Sequence, residues 1–233
     1  MDRRAELEQA LNEVRARIAR AAIGAGREPA DVELVVVTKT YPASDVDLLA
    51  GLGVRHIGEN RHPEARDKRA AATRADDLVW HFVGGLQTNK AKAVAAYADV
   101  VESVDRERVV TQLSRGASAA SREVRCLIQV DLEDDSRAER SGCRPDAVAD
   151  LADEVAAAEG LVLGGVMAVA PLGEDPARAF SSLADIAAAL VATHPAATTI
   201  SAGMSGDLEQ AVKAGATHVR IGRAVLGERA PTG

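Results

Sequence analysis

Eight short apolar segments recur along this chain, each separated from the next by a stretch of helical periodicity. No other feature constrains the fold as much. The segments lie at about 33–39, 55–58, 78–83, 100–104, 124–131, 161–169, 198–202 and 217–222. Helical spacing occupies about 3–25, 44–52, 63–73, 89–98, 106–121, 144–158, 176–193 and 208–214. The first helix carries Leu7, Leu11, Val14 and Ile18 on one face. Neighbouring parallel strands need a crossover, usually a helix, so this alternation implies a parallel sheet. Eight such units are the number that closes on itself. An open doubly wound sheet normally uses fewer strands. The expectation is therefore an α/β chain folded as a single (β/α)8 TIM-type barrel over 1–233. No helix is expected after the eighth strand, and the N-terminal helix is expected to complete the outer ring.

A barrel places chemistry at the C-terminal ends of its strands, with phosphate sites favoured on the loops after strands seven and eight. The segment 201–227 fits an anion cup in two pieces. Gly203, Ser205 and Gly206 open a short helix near Asp207, and a β-branched strand ends at Gly222. Small residues ahead of a helix let free backbone N–H groups face an anion, and a glycine after a strand permits close approach of a second backbone segment. Lys39 follows Leu34-Val35-Val36-Val37-Thr38 at the end of strand one, which neighbours strand eight once the barrel closes. By position alone such a lysine snorkels to solvent. Beside an anion cup it is also suited to Schiff-base formation with a carbonyl ligand. Arg220, between Val219 and Ile221, either pairs with a carboxylate or donates to the ligand.

Composition excludes several classes. The net charge of −7 argues against a nucleic-acid or anionic-membrane surface, and 2% aromatic residues leave little for base stacking. No apolar run approaches the roughly 20 residues of a membrane-spanning helix, and no signal peptide is visible. The two cysteines, Cys126 and Cys143, read as reduced thiols, so a cytoplasmic protein is expected. The five histidines show no metal-ligand spacing. The acidic run 133–135 reads as a solvated loop after strand five.

The motifs VVVTKTYPASDV, HIGEN, WHFVGGLQTNK, IQVDLEDDSRAERSG, GVMAVAP and SAGMSGDLEQAVKAGATHVRIG cover nearly the whole chain. Together they resemble the pyridoxal phosphate homeostasis protein family, a single barrel similar to the N-terminal domain of bacterial alanine racemase. The resemblance implies binding of pyridoxal 5′-phosphate (PLP) as an aldimine on Lys39. It implies phosphate contacts from Ser205 and from the Gly222 and Arg223 amides, and it sets Arg220 against the pyridine nitrogen. Asn60 of GEN and His81 of WHF would line the pocket, and Met167 would pack near the ring. Position 223 is usually a small hydroxyl residue in that family. Arg223 keeps the backbone contact and loses the hydroxyl one. Gly85 stands where the family often carries His or Arg.

The resemblance implies a role in vitamin B6 homeostasis with no established catalytic activity. Lys39, the split cup and the lack of a visible second catalytic group suggest a carrier or buffer that passes PLP to apo-enzymes, and a monomer is expected because one barrel needs no partner to complete the site. The alternative is a PLP-dependent racemase-like enzyme of fold type III. Racemisation commonly needs a second acid/base group opposite the lysine. Tyr41, two residues beyond Lys39 and followed by Pro42, reads as a turn residue instead. A phosphosugar aldolase is a third reading, since barrels also host Schiff-base lysines.

Overall fold

The computed structural model describes residues 2–133 and 141–227. Its eight strands are β1 (Glu33–Val37), β2 (His56–Glu59), β3 (Val79–Phe82), β4 (Val100–Val104), β5 (Val124–Gln129), β6 (Leu161–Met167), β7 (Thr199–Ser201) and β8 (His218–Ile221). They form one closed barrel in chain order, every neighbour parallel, with β8 returning to pair with β1. In that seam Val35 stands opposite Arg220 and Val36 opposite Ile221.

The helices are α1 (Arg3–Gly24), α2 (Ala43–Gly51), α3 (Glu64–Ala71), α4 (Thr88–Ala95), α5 (Glu107–Ala119), α6 (Val148–Ala157), α7 (Pro176–Thr193), α8 (Leu208–Lys213) and α9 (Arg223–Leu226). The last of these corrects the expectation that no helix follows strand eight. One turn forms directly after Gly222, and Val225 and Leu226 are buried. Four residues cannot cover the seam alone. Leu7, Leu11, Val14, Ile18 and Ala22 of α1 do so, buried in one cluster with Val36, Val219 and Val225. Each such leucine contributes about 1.5–3 kcal/mol by leaving water, which is what draws the N-terminal helix into the ring.

Strand residues alternate between the helix layer and the barrel interior. Along β4, Val101 joins the outer apolar cluster, whereas Val100 meets Leu127 and Met167 inside; a register irregularity between Val101 and Val104 then returns Val104 to the outer cluster. Parity then sends Glu102 inward as well. Three strands stop two residues earlier than their sequence pattern, β6 among them at Met167. β1 ends at Val37, so Lys39 lies in the turn beyond it, and β5 ends at Gln129, after which Val130 makes one isolated bridge to Cys143. Of the acidic run 133–135, only Glu133 lies within the described residues. No helix among the described residues is long and apolar enough to cross a membrane.

Candidate functional site

At the C-terminal end of the barrel a cavity of about 540 Å³ opens between the strand ends. The loop after β1 contributes Lys39 and Tyr41, that after β2 Asn60, and that after β6 Val169. The turn before α8 supplies Met204, Ser205 and Gly206, while β8 and its continuation supply Arg220, Gly222 and Arg223. Six of the eight expected site residues thus share one cavity: Lys39, Asn60, Ser205, Arg220, Gly222 and Arg223.

Two glycines shape the turns where the anion cup was expected. A Cβ on Gly222 would stand 3.1 Å from the Val37 carbonyl oxygen, so the two seam strands approach this closely only without one. Gly203 has φ +91° and sits where a Cβ would meet Ala211 at 2.6 Å. The turn that follows is tied internally, because the Met204 N–H donates to Asp207 Oδ1 at 2.6 Å. It is also tied to the ring helix, because Arg17 of α1 donates to the Ser205 carbonyl at 3.2 Å.

Asn60 bears on whether a ligand fits here. Its Oδ1 is buried with no hydrogen-bond partner among the described residues, and its side chain lines the cavity. An unsatisfied buried acceptor costs about 1–3 kcal/mol, which a polar ligand group would recover.

Arg220 forms part of the floor, 5% exposed. Its guanidinium donates to Ser201 Oγ at 2.7 Å and to the Ala168 carbonyl at 2.8 Å. Ser201 Oγ donates in turn to Glu102 Oε2 at 2.7 Å, and Glu102 Oε1 lies 2.7 Å from His81 Nδ1. A carboxylate only accepts, so His81 Nδ1 carries the proton in that contact. Burial alone would raise the Glu102 pKa. The hydrogen bond and charge of His81, together with Arg220 and Ser201, outweigh it and hold the carboxyl at about 2. Arg220 therefore has a buried counter-ion at 3.8 Å. Arg220 thus pairs with a carboxylate, as one reading expected, and it also lines the cavity.

His81 lies a level deeper than expected. It is 3% exposed beneath Arg220, and its Nε2 is 2.9 Å from His56 Nδ1. Burial, followed by the neighbouring His81, holds both His56 and His218 down at about 4. Met167 packs with Val100 and Leu127 in the interior and likewise stays out of the cavity lining. Both are buried inside the barrel, below the residues that line its mouth. Sequence reasoning missed Glu102. Its signal was one acid among valines, VVESV, at inward parity. Cys126 and Cys143 are buried free thiols that burial pushes up to about 12, so neither is poised as a nucleophile.

A closed parallel barrel with a lysine after its first strand and small-residue turns around one cavity after its last two places the chain in a recognisable class. The sequence profile of the family "Alanine racemase, N-terminal domain" matches residues 10–230. Among curated relatives, the pyridoxal phosphate homeostasis protein of Mycobacterium tuberculosis is 42% identical over 98% of this chain and 95% of its own length. The chain belongs to the pyridoxal phosphate homeostasis protein family. Solved structures agree. A protein from Bifidobacterium adolescentis superposes with TM-score 0.89 at 31% identity, over 97% of this chain and 96% of that one. PipY of Synechococcus elongatus PCC7942, determined with PLP bound, superposes with TM-score 0.81 at 30% identity, over 95% of this chain and all of that one.

Proposed function

We propose that this chain holds PLP in the barrel-mouth cavity, attached through Lys39, and serves as a carrier or buffer in vitamin B6 homeostasis. The observation that carries the reading is the meeting of an amine, an arginine and two small-residue segments around one cavity. PLP in the PipY structure and the shared family support it. The turn Ser205–Gly206 and the Gly222–Arg223 segment would hold the phosphate. Asn60 would satisfy its buried oxygen on a polar group of the ring. When bound, the cofactor supplies an aldehyde carbon that condenses with the lysine amine, forming a C=N bond and releasing one water.

Arg220 would face the ring nitrogen. A guanidinium is charged at any ordinary pH, so it opposes protonation of that nitrogen and disfavours carbanion chemistry. Tyr41 lines the cavity, but its hydroxyl donates to the Gly227 carbonyl at 2.7 Å. That engagement favours a turn-shaping role over an acid/base one. Both features support holding the cofactor over turning it over. The acceptors in this reading are PLP-dependent apo-enzymes.

The test starts with purified protein and PLP. Borohydride reduction followed by peptide mapping is expected to label Lys39, and label on another lysine refutes the attachment. Transfer from loaded protein to an apo-enzyme, measured against free PLP, checks the carrier role. Lys39-dependent α-deuteration of amino acids in D₂O would replace the carrier with the racemase-like reading.

A further inference from the structure

The turn that carries Lys39 is gripped on both sides by charged residues that do not line the cavity. Before it, Thr38 is fully buried, and its N–H donates to the Gly58 carbonyl at 2.9 Å. Thr38 Oγ1 donates to Glu59 Oε1 at 2.6 Å, and its carbonyl accepts from Lys68 Nζ at 2.6 Å. After it, the Thr40 N–H donates to Glu64 Oε1 at 2.6 Å. Lys68 Nζ joins the two halves, lying 2.5 Å from Glu59 Oε1 and 3.5 Å from Glu64 Oε1. One ammonium thus donates to two acceptors and pairs with a third oxygen, that of the Glu64 carboxylate, tying the residues before and after Lys39 to α3 and the end of β2.

The backbone gives these contacts a purpose. Thr40 has φ +71°, an outlier for a β-branched residue. Such a conformation persists only where its surroundings over-determine it, and it concentrates at functional sites. A buried ion pair, by contrast, is poor evidence of stabilisation, because apolar residues of similar volume often do as well. Lys68 and Glu59 have side chains 6% and 2% exposed, and Glu59 Oε2 has no hydrogen-bond partner among the described residues. That arrangement is a costly way to fill space and an effective way to fix a turn.

We infer that Glu59, Lys68 and Glu64 form a clamp that presets the Lys39 turn so that its amine meets the aldehyde of a bound cofactor. They are positioning residues, and the inference rests on Lys39 as the attachment point. The clamp acts on the covalent step alone. Pyridoxamine 5′-phosphate keeps the ring and phosphate but carries an amine in place of the aldehyde, so its binding does not draw on Lys39.

The experiment compares dissociation constants for PLP and pyridoxamine 5′-phosphate, with borohydride trapping at Lys39, in the wild type, Glu64→Ala, Glu64→Gln and Lys68→Met. Glu64 is one-third exposed, so its variants fold even if Lys68→Met does not. Glu64→Ala is expected to weaken PLP about tenfold, the scale of one lost hydrogen bond to a charged group. Pyridoxamine 5′-phosphate should stay within about twofold, within the spread of ordinary surface substitutions. Glu64→Gln, which keeps an acceptor for the Thr40 N–H, should recover most of the loss. Equal weakening of both ligands, or unchanged PLP binding in Glu64→Ala with the wild type labelled at Lys39, overturns the clamp. A wild-type chain not labelled at Lys39 overturns the attachment and the clamp together.

Discussion

Replacing Glu102 by glutamine removes the only carboxylate facing Arg220 inside the barrel among the described residues. Glu102 is 0% exposed, with Arg220 at 3.8 Å and His81 and Ser201 each at 2.7 Å. Removing one partner of a buried pair typically costs about 3–5 kcal/mol, because the other charge is left uncompensated. The linkage estimate starts from a folded pKa of about 2 against an ordinary 4.5, a difference worth on the order of 3 kcal/mol. A carboxyl with a depressed folded pKa contributes stability that is present above 4.5 and lost as pH falls toward 2. The two figures agree. Glu102→Gln should therefore lower Tm by about 6–12 °C at pH 7, since each kcal/mol is worth roughly 2–4 °C in a chain of this size. Paired denaturant titrations of wild type and variant between pH 7 and pH 3 provide the assay. The difference should be close to 3 kcal/mol at pH 7 and shrink as the wild-type carboxyl protonates. A difference under about 1 kcal/mol, in the range of an exposed pair, or one that does not change on acidification, refutes the assignment of Glu102 as the counter-ion.

His56 and His218 sit near 4, below the 6.5 of a free imidazole, so both are neutral in the fold at pH 7. Their contribution is present above 6.5 and lost as pH falls toward 4; His218→Asn should flatten the wild-type decline in stability over that window in a urea series. Gly222→Ala brings a Cβ within 3.1 Å of the Val37 carbonyl and pushes the cup apart. PLP affinity measured by equilibrium titration should fall about tenfold, or roughly 1.4 kcal/mol, with thermal stability changing less. Leu11→Ala opens a void under the seam-covering helix at a fully buried position. A loss of about 2–5 kcal/mol is expected by chemical denaturation, whereas a loss under about 0.5 kcal/mol would mean α1 is only loosely attached.

The barrel was legible because each strand is marked by its own residues and each crossover by its own periodicity. Closure followed from the count. Lys39 and Gly222 were legible as a pair only after closure made their strands neighbours. The end of β1 was misread by two residues because the apolar run continues into Thr38, whose N–H still bonds the Gly58 carbonyl but whose hydroxyl and carbonyl turn to Glu59 and Lys68. Residue type alone does not reveal a partner 30 positions away. The α9 turn was missed because four residues carry too little periodicity to read. His81 was expected at the mouth, but its depth depends on strand register, which the motif WHF does not encode. Glu102 and Ser201 lie on β4 and β7, far apart in sequence, and become one network with Arg220 only inside a closed cylinder.

The seam between β1 and β8 also fixes an order of events during synthesis. The lysine turn leaves the ribosome early, but the strand that carries Arg220 and ends at Gly222 leaves near the end of the described chain. Joining them closes a loop almost as long as the chain, an entropic cost that later contacts must offset. A nascent chain halted before β8 has its lysine and lacks the arginine, the second wall of the cup and the ring closure itself. If the ligand is held as proposed, a chain that can hold it has already finished its last strand.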